Sequence, residues 1–207
     1  HIVPIWPSFS QTFVKDDIQI SESIFKQVQV FPLPLREQSG TAKVRDLFEM
    51  FCSIPRAMML ILKIDFRKEA RDLLASSNGI RPRILMVYKI IVAAVFLRRF
   101  KLNDKSKKFF VHVHFLSTGL EIAILLKSIF PEFFIIGTAH GSDAFFQNAL
   151  KVSKLSSESD LIFAASRAVA ARIYECNKIA TYRSSPKVIV RYCRVPIEME
   201  MKTEMKS

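Results

Sequence analysis

The chain reads as an α/β protein: a Rossmann-like parallel sheet with helices on both faces. Three observations predict this. Short β-branched or aromatic runs alternate with longer helical patterns along the chain, and such alternation implies right-handed crossovers between parallel strands. One run, Phe133 to Ile136, reads as a strand covered on both faces that stops on a polar corner, His140, Gly141, Ser142 and Asp143. Ligands of open α/β sheets bind outside the carboxyl ends of the strands, so titratable groups at such an end form a candidate site. The competing reading of the corner is a turn followed by a helix cap. Finally, neither a GxGxxG dinucleotide fingerprint nor a GxxxxGK[ST] phosphate loop occurs, which narrows the class.

The elements follow in order. His1 to Pro7 suits a first strand ended by Trp6 and Pro7. Ser8 to Thr12 is a polar corner before a short helix carrying Phe13, Ile18 and Ile20, with Asp16 and Asp17 near its front. Val28 to Phe31 alternates as a second strand, and Pro32 and Pro34 are expected to break it. Residues 41 to 108 form a helical middle. Val44, Leu47, Phe48, Phe51, Ile54 and Met58 recur at three- and four-residue steps. A second helix covers Phe66 to Ala75 and is closed by Ser76 to Gly79. A third begins near Pro82 and runs from Ile84 to about Phe100.

From Arg81 to Lys108 nine Lys or Arg face one acid, Asp104. A helix that is apolar on one side and basic at both ends can lie on an anionic membrane. A packed helix with a solvated basic rim is the preferred reading, because such patterns are common.

Phe109 to Phe115 is the third strand. Side chains alternate across a strand, so Phe110, His112 and His114 share a face. Two histidines so spaced suit a metal, but a third ligand is not announced, so no metal site is assigned. A structural role, or one histidine at the strand end facing a cleft, is the preferred reading. Ser117, Thr118 and Gly119 open a helix from Leu120 to Phe130. The strand before His140 follows, then a polar connection over 144 to 159 with room for a short helix. Asp160 to Ala165 is a buried strand, Ser166 caps a helix from Ala168 to Cys176, and Lys187 to Cys193 is the last strand. The expected domain is 1–197, with 198–207 a charged tail or the start of a second domain.

Composition sets outer bounds. The chain has 207 residues, 50% of them hydrophobic, enough for one sizeable core. The formal charge of +12 favours anionic partners. Nucleic acid is discounted, since the lysines are scattered and no binding motif appears. The three cysteines, Cys52, Cys176 and Cys193, lie far apart without metal spacing and suggest free thiols in a reducing compartment. No apolar run is long enough to span a bilayer.

Taken together, Val111-His-Val-His-Phe115, Thr138-Ala-His-Gly-Ser-Asp143, Ser159-Asp-Leu-Ile-Phe-Ala-Ala-Ser166 and Val188-Ile-Val-Arg-Tyr192 resemble the N-terminal half of GT-B glycosyltransferases of family 4. Pro7-Ser-Phe-Ser-Gln-Thr-Phe13 is similar to the cleft loop of the branch that builds colanic acid and other surface polysaccharides. The resemblance implies one half of a GT-B fold. It implies transfer of a sugar from a nucleotide-sugar, with retention and without a metal, to a glycan or lipid-linked acceptor. The nucleotide-sugar is a substrate, and no cofactor is implied. His140 matches the histidine that faces the donor sugar. Ser10, Gln11 and Thr12 match the loop that lines the cleft. His114, Gly141, Ser142 and Asp143 complete the implied substrate contacts, Asp143 chiefly by shaping the corner.

The chain departs from the family in three places. Gln11 stands where the branch has glutamate. Arg194-Val-Pro196 replaces a Gly-Val-Asp turn. No two glutamates are separated by seven residues, the spacing of the family's donor-binding pair. The implied protein is a cytoplasmic acceptor-side domain, peripheral at the inner face of the membrane and inactive without a donor-binding half. That half is either a missing C-terminal domain or a partner subunit. The alternative is a non-catalytic membrane- or protein-binding module on the same fold.

Overall fold

The computed structural model describes residues 1–3, 12–35, 40–75, 80–100, 109–180 and 187–191. Within them six parallel strands form one sheet: β1 (Ile2–Val3), β2 (Phe31–Pro32), β3 (Phe109–His114), β4 (Phe133–Ala139), β5 (Leu161–Ala164) and β6 (Lys187–Val190). Parallel neighbours require crossovers. Helices α1 (Thr12–Ile24), α2 (Gly40–Cys52), α3 (Ile54–Leu62), α4 (Ile64–Ala75), α5 (Ile80–Phe100), α6 (Thr118–Lys127), α7 (Gly141–Phe145), α8 (Ala149–Ser157) and α9 (Arg167–Ala180) supply them. The expected Rossmann-like layer is therefore present. The strand order is β2-β1-β3-β4-β5-β6, so the order in which strands are added to the sheet reverses between β1 and β3. Such a reversal opens the crevice where ligands of doubly wound sheets sit.

Alternation along the strands sorts the side chains onto two faces. Val111, Val113, Ile135, Gly137, Ile162 and Ala164 share the thickly covered face and are buried. Helix α6 lies against it, and its residues Thr118 to Leu126 are all buried, because α4 and α5 close over its outer side. Gly119 permits this approach. A Cβ there would stand 3.0 Å from both Ile2 Cγ2 and Val113 Cγ1.

On the other face lie Phe110, His112, His114, Phe134, Ile136, Thr138 and Phe163. Helix α1 covers part of it, with Val14 and Ile18 packed on Val3. Arg191, just after β6, pairs with Asp17 of α1 at 2.6 Å and places its guanidinium 5.5 Å from the Phe163 ring centre. Phe110 and Phe134 stay partly exposed. This corrects the expectation that Phe133 to Ile136 is covered on both faces. Phe133 and Ile135 are buried, whereas Phe134 and Ile136 face the thinly covered side.

Three further expectations change. Strand β2 passes through Pro32 where a break was expected. The ladder donors are Phe31 N, to His1 O at 2.7 Å, and Leu33 N, to Val3 O at 2.9 Å, so an edge strand needs no donor at Pro32. The polar connection after β4 holds two helices, α7 and α8. The middle stripe is not core. α2 and α3 part at Ser53, ahead of Pro55, and Phe48 and Phe51 are 65% and 72% exposed. The preferred reading of α5 as a packed helix is borne out, since Val92 to Leu97 are buried.

Candidate functional site

The carboxyl ends of β3 and β4 build one corner. His114 lies opposite Thr138 in the sheet register. Phe115 follows with φ 75°, in the left-handed region that non-glycine residues rarely occupy, and its N–H still bonds Thr138 O at 2.9 Å. Strained backbone of this kind clusters at functional sites. The turn sets the Phe115 ring beside that of His140, with centroids 4.6 Å apart.

Asp143 stitches the two strand ends together. Its Oδ2 accepts from Leu116 N at 2.5 Å and its Oδ1 from His140 N at 2.7 Å. The Gln147 amide donates to Leu116 O and closes the same loop. Burial raises the Asp143 pKa to about 6, although the backbone N–H donors pull it down. With both oxygens so engaged and the side chain buried, Asp143 shapes the corner, its main expected role. The helix-cap reading also holds for the backbone, since α7 starts at Gly141 with His140 as its N-cap.

His140 is half-buried in an extended conformation, φ −106° and ψ 169°. Burial lowers its pKa, so the imidazole is neutral at pH 7, and one ring nitrogen accepts the Asp143 N–H in the capping box. Gly141 and Ser142 beside it are exposed, and a Cβ on Gly141 would meet nothing within 4 Å. These three residues form an open rim. The sequence-predicted loop cannot be placed on it: Ser10 and Gln11 lie outside the described residues, as does the side chain of Thr12.

His114 is not at that rim. Its ring is 1% exposed, lies under α1, and bonds His1 Nδ1 through Nε2 at 3.2 Å. His1 Nε2 meets Ser21 Oγ at 2.9 Å, and the Ser21 hydroxyl donates to Asp17 O at 2.8 Å. Since the serine proton is committed, His1 Nε2 carries the hydrogen and Nδ1 is the acceptor. His112 Nε2 meets Thr138 Oγ1 at 2.7 Å. Burial pushes the His112 pKa well down and that of His114 to about 3, so both rings are neutral.

Sequence reasoning missed His1, Phe115 and Gln147. Nothing local marks them. A positive φ at phenylalanine has no composition signal, and His1 meets His114 only because β1 and β3 are neighbours.

No family model matches the chain, and no curated protein or solved structure matches it either.

Proposed function

We propose that this chain is the acceptor-side layer of a retaining glycosyltransferase that moves a sugar from a nucleotide-sugar to a glycan or lipid-linked acceptor of surface polysaccharide synthesis. One observation carries the reading. A neutral, half-buried imidazole, His140, stands at the carboxyl rim of β4 beside the open backbone of Gly141. The His140 ring takes the Asp143 N–H in the capping box, and its other nitrogen can donate to a sugar hydroxyl without a change of charge. Gly141 and Ser142 leave room for a sugar ring to approach. The net charge of +12 favours a phosphate-bearing partner.

Catalysis on this reading needs the donor-binding half, since a reaction site assembled from two sides works only when both are present. Binding can be tested on the chain itself. Soluble glycan-pyrophosphate acceptor analogues and nucleotide-sugars are titrated in while the His140 ring and the Gly141 and Ser142 amides are followed by NMR. Shifts confined to this corner are expected. His140→Ala should weaken binding about tenfold, the worth of a hydrogen bond of ~1.5 kcal/mol. Titrations that leave all three signals unmoved at millimolar ligand would overturn the reading.

A second reading is favoured by a separate observation. Val44, Leu47, Phe48 and Phe51 of α2, Met58, Met59 and Leu62 of α3 and Ile64 of α4 are exposed together. Lys43, Arg45, Arg56, Arg67, Lys68 and Arg71 belong to the same helices, and Lys63 joins α3 to α4. Of their five acids, Asp46 and Glu49 are paired with Arg99 and Glu69 with Lys154, and the other two are Asp65 and Asp72. An apolar face with surplus positive charge suits an anionic membrane. Peripheral contact at the inner membrane face, from a cytoplasmic location, fits a lipid-linked acceptor and equally fits a non-catalytic membrane-binding module. Among the described residues no helix is long and apolar enough to cross a membrane.

A further inference from the structure

We propose that His1, His112 and His114 form a site for a late first-row divalent transition ion, with zinc the natural occupant. The site goes beyond the sugar-transfer reading and does not depend on it.

The geometry comes first. One ring nitrogen from each histidine lies within 4.8 Å of the others. Ring centroids are 4.3 Å apart for His112 and His114, 4.9 Å for His1 and His112, and 5.5 Å for His1 and His114. His1 Nδ1 and His114 Nε2 are 3.2 Å apart. Two nitrogens bound to one tetrahedral zinc at ~2.0–2.1 Å stand about 3.3–3.4 Å from each other. The gap now bridged by a hydrogen bond therefore has the span of a shared metal.

The surroundings hold the rings as ligands. Metal-bound histidines characteristically donate the other ring N–H to a fixed acceptor, which sets the tautomer. His1 does so through Ser21 Oγ, which is itself anchored on Asp17 O, and this leaves Nδ1 as the lone-pair nitrogen. Thr138 Oγ1 fixes the His112 ring. Two of the ligands sit on β3 and the third directly precedes β1, its hydrogen-bonded neighbour, so the scaffold is rigid.

The donor set selects the ion. Three imidazoles without a carboxylate suit zinc, cobalt, nickel or copper, and not magnesium or calcium, which take oxygen. Three protein ligands leave a fourth position for water or a ligand oxygen. His1 is the half-buried member and marks the side open to solvent.

The test uses the full chain without a histidine tag, stripped by a chelator and titrated with Co2+ and then Zn2+. The expected result is a visible absorption band of low-coordinate Co2+ that saturates at one equivalent, is displaced by Zn2+, and is accompanied by a rise in Tm. His1→Gln, at the solvent side, should weaken binding at least tenfold with the fold intact. His114→Gln should abolish the band. Ser21→Ala, which frees the His1 tautomer, should weaken binding by about tenfold. Cys52→Ser should leave the band unchanged, since that thiol is exposed and outside the cluster. Absence of a band at stoichiometric Co2+, or a band that survives His1→Gln at full strength, overturns the site.

Discussion

Phe115 carries its strain, about 1–3 kcal/mol for a residue in sparsely populated backbone space, because its neighbours over-determine it. Its N–H is held by Thr138 O, and Leu116 N by Asp143. Asp143 is the partner that titrates. Its folded pKa of about 6 lies above the ordinary 3.8, so folding favours the protonated form. The stabilisation is complete below pH 3.8 and is lost as pH rises through 6. At ~1.36 kcal/mol per unit, the limit is about 3 kcal/mol. Asp143→Asn cannot titrate, so the stability of the native chain relative to this variant should fall between about pH 4 and pH 6. Parallel denaturant melts at stepped pH read the difference, and flat curves would remove burial as the cause. The sequence showed His140 and Asp143 because imidazole and carboxylate after a strand are visible as letters. It could not show that Asp143 turns inward, since that depends on where Leu116 N ends up.

At the level of the element, α6 sets the design. From Thr118 to Leu126 this helix is buried on all sides and has no solvent face for Glu121, the one charge in that span. That carboxylate pairs with Lys89 of α5 at 2.9 Å and Lys151 of α8 at 3.4 Å. The side chains of Lys89 and Glu121 are 5% and 3% exposed. Burial pushes the Lys89 pKa down, and Glu121 beside it holds it up. Removing one partner strands a buried charge, so Glu121→Ala should cost about 3–5 kcal/mol. The double change Lys89→Met, Glu121→Leu should recover most of that loss, because well-packed apolar replacements of buried pairs are often near neutral. Chemical denaturation of the three proteins decides it, and a double variant as unstable as the single one contradicts the argument. The helix was legible from its opening at Ser117 and its apolar content. Its complete burial was not, since α4 and α5 lie far back in the chain. The α2 stripe shows the converse. Period 3.6 identifies a helix with an apolar side but does not say what that side meets.

For the whole molecule, the parallel sense of the sheet followed from the alternation of elements, and all six strands were placed near their observed positions, whereas their order in the sheet was not read from the sequence. The unequal covering of the two sheet faces was hidden along β4 and β5, where both faces carry mostly apolar side chains. The exposed face of α2 to α4 is the largest departure from an ordinary surface, where extended apolar patches mark interaction sites. Vesicles rich in anionic lipid should therefore sediment with the chain, and neutral vesicles should do so less. Phe48→Asp with Phe51→Asp should reduce binding at least tenfold and leave the Tm within a few degrees, since both rings are already in water. Binding that ignores these changes but vanishes with salt would mean charge alone is responsible.

The stitch from Asp143 to Leu116 has a consequence for how this corner can be passed on. Everything it joins, from Phe115 through α6 and β4 to Gln147, comes from one unbroken stretch of chain. Such a corner can be inherited, copied or lost as a unit. Its neighbour beneath α1 requires two distant segments to stay together, and a single cut between them would part it.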